Sequence, residues 1–198
     1  RSIEIGRTDR ASYDVIFGNR QTALDQPITQ MKLGDLIDAQ KQWSTKAWAK
    51  RFKATKASSA AGGYQFMRAT LIDLSKELNL LGNQVFEPDF QDRLGYHLLK
   101  RRGYDDFAAG RISRTEFGKR LAQEWASLPV LAPTKGGSRN VSRGQSFYAG
   151  DGLNKSLVAP ETVEALLNRI KTDAPKPVQP SPPPVPVQEA PKAEASTV

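Results

Sequence analysis

At 198 residues the chain has room for one domain with a substantial core, plus a tail. No apolar run approaches the eighteen or more residues of a bilayer crossing, zero cysteines exclude a disulfide framework and any thiolate metal site, and a single histidine argues against a protein-built zinc site or Ser or Cys nucleophile chemistry. The formal charge of +8, with a pI near 9.8, favours polyanionic partners: nucleic acid, an anionic membrane surface or an acid-bearing wall polymer.

The chain begins at Arg1 without Met, and it reads as a processed or excerpted chain in which Glu4 sits at the end of a longer helix. Gly6 to Arg10 is loop-like. Tyr13 to Phe17 is aromatic and β-branched with Gly18-Asn19 behind it, which predicts a strand and turn; Thr22 to Gln30 predicts loop or a second short strand. Leu36, Ile37, Trp43 and Ala47 recur at helical spacing and predict one helix from Leu33 to about Phe52. Its later half sets Lys46, Lys50, Arg51, Lys53 and Lys56 among Trp48 and Phe52.

A helix is predicted to run to about Leu78 and stop near Asn79. Glu87-Pro88 then opens another, with Pro at the first helical position and Gly103 as the stop. Phe90, Leu94, His97 and Leu98 share its inner face, so His97 is expected in the core. Ser113-Arg114-Thr115-Glu116 fits a capping box ahead of an inward stripe of Phe117, Leu121, Trp125 and Leu128 that Pro129 ends. Pro133 to Gly152 is a long polar, Gly-rich loop, and a last helix starts near Pro160 with Val163, Leu166, Leu167 and Ile170 inside. Eight of the thirteen prolines fall in residues 174–198, which predicts an extended tail with no core of its own. In that tail Lys176 and Lys192 balance Glu189 and Glu194, so the excess positive charge belongs to residues 1–173.

The stretch that organises the chain is Ser58 to Met67, Ser-Ser-Ala-Ala-Gly-Gly-Tyr-Gln-Phe-Met, ten residues without a charge. Its small residues permit tight turns and close approach to the main chain, and Gln65 offers donor and acceptor to a polar ligand. In order with Tyr13-Asp14-Val15-Ile16-Phe17-Gly18, Gln91-Asp92, Lys100-Arg101-Arg102-Gly103 and Trp125-Ala126-Ser127-Leu128-Pro129, and with an early Glu4, it resembles the lambda-type phage endolysins, muramidases of the lysozyme-like superfamily. The likeness covers roughly residues 3 to 171, with an insertion after Pro129. It implies an α+β, predominantly α-helical, lysozyme-like fold with a small β element near the N-terminus. The implied organisation is a muramidase domain over 1–173 and a Pro-rich tail or linker over 174–198.

Cleaving a β-1,4 glycosidic bond requires a proton for the leaving oxygen as an oxocarbenium-like centre develops, and a Glu in a partly desolvated pocket suits that task. Glu4, between Ile3 and Ile5 and close to Gly6, matches the family's catalytic Glu. The resemblance implies a single-glutamate lytic transglycosylase that acts on the MurNAc–GlcNAc bond and leaves 1,6-anhydro ends; a hydrolytic lysozyme is the nearest alternative. Asp9 and Asp14 are the nearby carboxylates in sequence, Asp14 reading as a turn residue, and Glu124 is a competing acid expected to be solvated. Tyr64 and Gln65 match the family's Gly-x-Tyr-Gln element along the saccharide groove, with Gly63 standing where the family has an Arg. Ser127 could reach the groove, Trp125 reads as core, and Gln145 to Tyr148 would form a lip.

No metal and no cofactor are expected. The implied partner is the glycan strand of peptidoglycan, the implied setting the host cell wall, or periplasm, attacked by a phage-encoded enzyme, and the tail is a candidate attachment to other virion or tail proteins. Two readings from other classes stand beside it: a nucleic-acid-binding module built on Lys46 to Lys56, and a catalytically inactive virion structural component.

Overall fold

A computed structural model describes residues 10–173; residues 1–9 and 174–198, and with them Glu4, Asp9 and the Pro-rich segment, lie outside the described residues. Within the described residues the elements run α1 (Leu33–Trp43), α2 (Lys46–Arg51), α3 (Arg68–Glu77), α4 (Pro88–Arg101), α5 (Tyr104–Ala108), α6 (Arg114–Glu124), β1 (Thr134–Lys135), β2 (Asn140–Val141) and α7 (Pro160–Asp173). The fold is α+β, mostly helical and lysozyme-like, with one antiparallel two-stranded ribbon. None of these helices is long and apolar enough to cross a membrane.

One apolar core joins the helices. Leu33, Leu36 and Trp43 of α1 meet Leu71 and Leu74 of α3, Phe90, Leu94 and Leu98 of α4, and Phe117 and Leu121 of α6. Phe107 stacks on Phe117 with ring centroids 4.7 Å apart, which seats the short α5 on α6. A second, smaller cluster of Ala122, Val130 and Val141 lies under the ribbon, covered by Phe147 and Ala149.

Several expectations are corrected. Tyr13 to Phe17 is not a strand: Arg10–Asp14 winds as a 3₁₀ turn, and only Ile16 pairs, in a single bridge to Ala61. Tyr13, Val15 and Ile16 are all buried rather than alternating, so their bulk serves the core and not a sheet face. Thr22 to Gln30 holds two more 3₁₀ turns, at Gln21–Ala23 and Ile28–Gln30, and no strand. The ribbon instead sits inside the long loop after Pro129, pairing Thr134 with Val141 and Lys135 with Asn140.

The predicted helix from Leu33 to Phe52 is two helices. Ser44 closes α1, and Thr45 turns extended and accepts the Trp48 amide at 3.2 Å, a side-chain cap that competes with helix continuation. Trp48 is buried and Phe52 half-buried, with the Arg51 and Arg20 guanidinium groups over their rings. His97 is not a core residue: it lies on the rim of α4 with its ring nitrogen 2.9 Å from Glu77. That hydrogen bond is the first cause holding the Glu77 carboxyl below its ordinary range, with Arg101 adding to it. Ser113 caps α6 as expected, accepting the Glu116 amide at 3.1 Å, while the Glu116 carboxylate turns to Arg120 at 2.8 Å.

Candidate active site

The Ser58 to Met67 stretch forms a closed turn. Ala61 and Phe66 exchange both backbone hydrogen bonds, at 3.1 and 2.8 Å, and the Gln65 amide reaches back to the Gly62 carbonyl at 3.0 Å. Gly62 takes φ +77° and Gln65 φ +52°, so the turn needs one residue without a Cβ and tolerates one strained residue. Space enforces the same choice, because a Cβ on Gly62 would fall 2.2 Å from Gln91 Oε1.

Gln91 is what holds this turn to the rest of the molecule. Fully buried, it accepts the Gly63 amide at 3.0 Å and donates to the carbonyls of Tyr13 at 3.1 Å and Phe86 at 2.9 Å. One side chain thus ties three chain segments to α4. Next to it, Asp92 Oδ1 accepts the hydroxyls of Tyr13 at 2.8 Å and Tyr64 at 2.9 Å. The Tyr64 ring lies against Gly95 so closely that a Cβ there would sit 2.5 Å away.

In front of the turn runs a groove of about 780 Å³. Four segments line it: Val15 to Asn19, Ser58 to Met67, Gln123 to Ser127, and Tyr148 to Leu157. The segment after α6 holds the others together. Trp125 leaves the helix at φ −114°, ψ 100°, which turns its neighbours' carbonyls outward. Gln123 O then accepts the Tyr148 hydroxyl at 2.7 Å, Ala126 O the Ser146 hydroxyl at 2.6 Å, and Ser127 O the Leu157 amide at 2.8 Å. Trp125 Nε1 donates to Tyr64 O at 3.0 Å, so this tryptophan, 7% exposed, is both core and groove wall.

The outer rim is a loop fastened at two places. Asp151 accepts the amides of Leu153 and Asn154, each at 2.8 Å, and these bonds, that of Asn154 first, hold its carboxyl below the ordinary aspartate range. Lys56 Nζ donates to the Gly152 carbonyl, joining the rim to the segment that leads into the Gly-Tyr-Gln turn.

The expected site residues divide. Gln65, Ser127 and Tyr148 line the groove, as does the unexpected rim of Leu153, Asn154 and Lys155. Gly63 is buried behind the wall, and Tyr64 turns its ring toward Gly95 and Asp92. Gln145 stands outside the groove, where its side chain accepts the Ser142 amide at 2.8 Å and its carbonyl the Val130 amide. Asp14 also lies elsewhere, accepting the Thr29 amide at 2.9 Å. Glu4 lies outside the described residues. Glu124, expected to be solvated, is 8% exposed at its side chain and lines the groove, its Oε2 2.7 Å from Arg102 Nε. The sequence signal for it was its place one residue before Trp125 in the Trp-Ala-Ser-Leu-Pro motif.

Among the described residues no group of three or more His, Cys, Asp or Glu side chains could hold a metal ion. What the groove offers is mainly neutral hydrogen bonding from amides, hydroxyls and main chain, with Glu124 and Lys155 as its charged side chains and aromatic and aliphatic walls between, a surface suited to sugar rings.

The profile of the endolysin family matches residues 4–153 of the chain. The chain belongs to the endolysin family. Endolysins are phage-encoded enzymes that degrade the peptidoglycan of the host cell wall, and the groove described here is the candidate active site of this endolysin. No curated protein and no solved structure matches the chain.

Proposed function

We propose that the endolysin is a muramidase that cleaves the MurNAc–GlcNAc β-1,4 bond as a single-glutamate lytic transglycosylase, with Glu4 as its acid. The observation that carries this reading is the chemistry of the groove. Its only acidic side chain among the described residues, Glu124, already accepts a guanidinium bond at Oε2, the arrangement of an acceptor and not of a proton donor. The acid in this reading comes from another part of the chain, and Glu4 falls within the residues of the family match. In this reading Glu4 protonates the leaving oxygen, and its carboxylate then takes the proton from the muramic acid C6 hydroxyl as that oxygen bonds to C1, closing the 1,6-anhydro ring. Gln65, Ser127 and Tyr148 flank the strand.

Hydrolysis by a lysozyme-type route is the second reading, and the presence of Glu124 in the groove is what favours it, since hydrolases place a second carboxylate across the scissile bond. Digestion of purified peptidoglycan followed by mass spectrometry decides between them. Anhydro-muramic ends are expected, and reducing ends would replace the first reading by the second. The Glu4→Gln variant is expected to keep its circular dichroism spectrum and lose wall cleavage; full cleavage by that variant would remove Glu4 from the mechanism.

A further inference from the structure

Glu124 stands where stability alone would not put a carboxylate. It is the last residue of α6, at the helix end whose dipole opposes negative charge, and its side chain is almost wholly withdrawn from water. The protein holds it there with cations from behind. Oε2 accepts Arg102 Nε at 2.7 Å and lies 3.6 Å from Arg101 Nη2, while Arg101 also reaches Glu77 at 3.5 Å and Glu77 meets His97. This chain of charges fixes one oxygen and leaves the other.

Oε1 makes no hydrogen bond within the described residues. It is also not sealed inside, unlike the unpartnered Gln21 Oε1, Gln40 Oε1 and Trp43 Nε1. Since Glu124 lines the groove, this oxygen, without a partner among the described residues, is an immobilised anionic acceptor beside that space. A carboxylate oxygen left open in a wall whose other side chains, Lys155 apart, are neutral calls for a donor.

We infer that Glu124 is a substrate-binding residue whose Oε1 accepts a hydrogen bond from an acetamido N–H or a hydroxyl of an amino sugar lying against Gln123 to Ser127. The inference rests on the proposed reading of the groove as the glycan site, but it needs no cleavage and no role for Glu4. Replacement by Gln turns the interaction around. With its carbonyl oxygen kept on Arg102, Glu124→Gln presents an NH₂ donor to the groove in place of the acceptor. Glu124→Asp keeps the charge but withdraws the oxygen by one methylene.

The test is calorimetric titration of the full chain with the neutral oligomer tetra-N-acetylchitotetraose. Wild type is expected to bind, and both variants to bind about 10- to 100-fold more weakly, the range for removing one charge-assisted hydrogen bond. Wild-type affinity in both variants would overturn the role of Glu124 while leaving the glycan groove standing. No binding by wild type would instead overturn the glycan reading of the groove, and the inference with it. The wild-type chain supplies a measurement independent of folding in the variants: the Glu124 carboxyl ¹³C resonance is expected to move as the oligomer saturates the protein. A resonance that stays fixed at saturation overturns the assignment.

Discussion

Replacing Gln91 by Leu tests whether one buried amide holds the groove wall in place. Gln91 is fully buried, and its side chain bonds the Gly63 amide and the Tyr13 and Phe86 carbonyls. Leu fills nearly the same volume but satisfies none of the three. Each stranded backbone group costs about 1–3 kcal/mol, while burial of the extra apolar surface returns about 2 kcal/mol, so the net loss is about 1–7 kcal/mol. For a domain of this size each kcal/mol moves the thermal midpoint by roughly 2–4 °C, which gives a fall on the order of 10 °C. Urea unfolding followed by circular dichroism reads the change as a shift in midpoint at constant slope. Peptidoglycan cleavage should fall at temperatures where the variant is still folded, because the turn carrying Gln65 loses its tie to α4. A loss below about 1 kcal/mol would show that the three segments are held by packing alone, and would refute the reasoning.

Gly95→Ala pits helix propensity, worth up to about 1 kcal/mol in favour of Ala, against a Cβ placed 2.5 Å from the Tyr64 ring. Overpacking should win by about 1–3 kcal/mol, with the Tyr64–Asp92 hydrogen bond lost; a variant more stable than wild type on thermal unfolding would contradict this. Asp151→Ala should raise amide hydrogen exchange at Leu153 and Asn154 and leave the rest of the protein unchanged. Because the folded-state Asp151 carboxyl titrates below its ordinary value of 3.8, the order it gives the rim is complete above that pH and is lost only as pH falls through the lower folded value. Protection of those two amides in the wild type, taken relative to the intrinsic exchange rate at each pH, should therefore fall only in that acid range; a fall in protection beginning near neutral pH would point to another group. Lys46, Lys50, Arg51 and Lys53 are exposed, and none of them forms an ion pair among the described residues, so added salt should weaken adsorption to whole sacculi. Binding of the neutral oligomer in the groove should change little over the same salt range.

The fold was legible where one residue forces a backbone outcome. Pro88 opens α4, Ser113 caps α6, Gly103 at φ +95° follows α4, and Asn79 at φ +51° follows α3, each where sequence reading puts it. It was illegible where composition is ambiguous. The β-branched and aromatic residues from Tyr13 to Ile16 suit a strand or a fully buried irregular segment equally, and the Ala61 bridge and the Gln91 bond that decide between these come from far along the chain. Thr45 likewise interrupts a helical pattern that its apolar neighbours continue, because its hydroxyl satisfies the Trp48 amide locally. His97 falls on the apolar stripe by spacing alone, and it takes Glu77 on another helix to draw its ring outward.

The groove shows the same division with more at stake. The motif residues are brought together in space, but several of them build the wall rather than face the substrate. Gly62 and Gly63 give the turn its shape, Tyr64 pins it through Asp92, and Trp125 joins it to the end of α6, leaving Gln65 to meet the ligand space. A motif read as a set of contacts is therefore partly a set of fasteners, since a groove that holds its ligand by many weak bonds needs walls that do not yield. Glu124 departs from its sequence reading for the opposite reason. Apart from its place before Trp125, nothing in its local sequence distinguishes it from a solvated helical Glu; its burial depends on Arg101 and Arg102, more than twenty residues upstream, which meet it only once α4 and α6 have packed. A charge stripped of water acquires chemistry that the same charge on an open surface lacks.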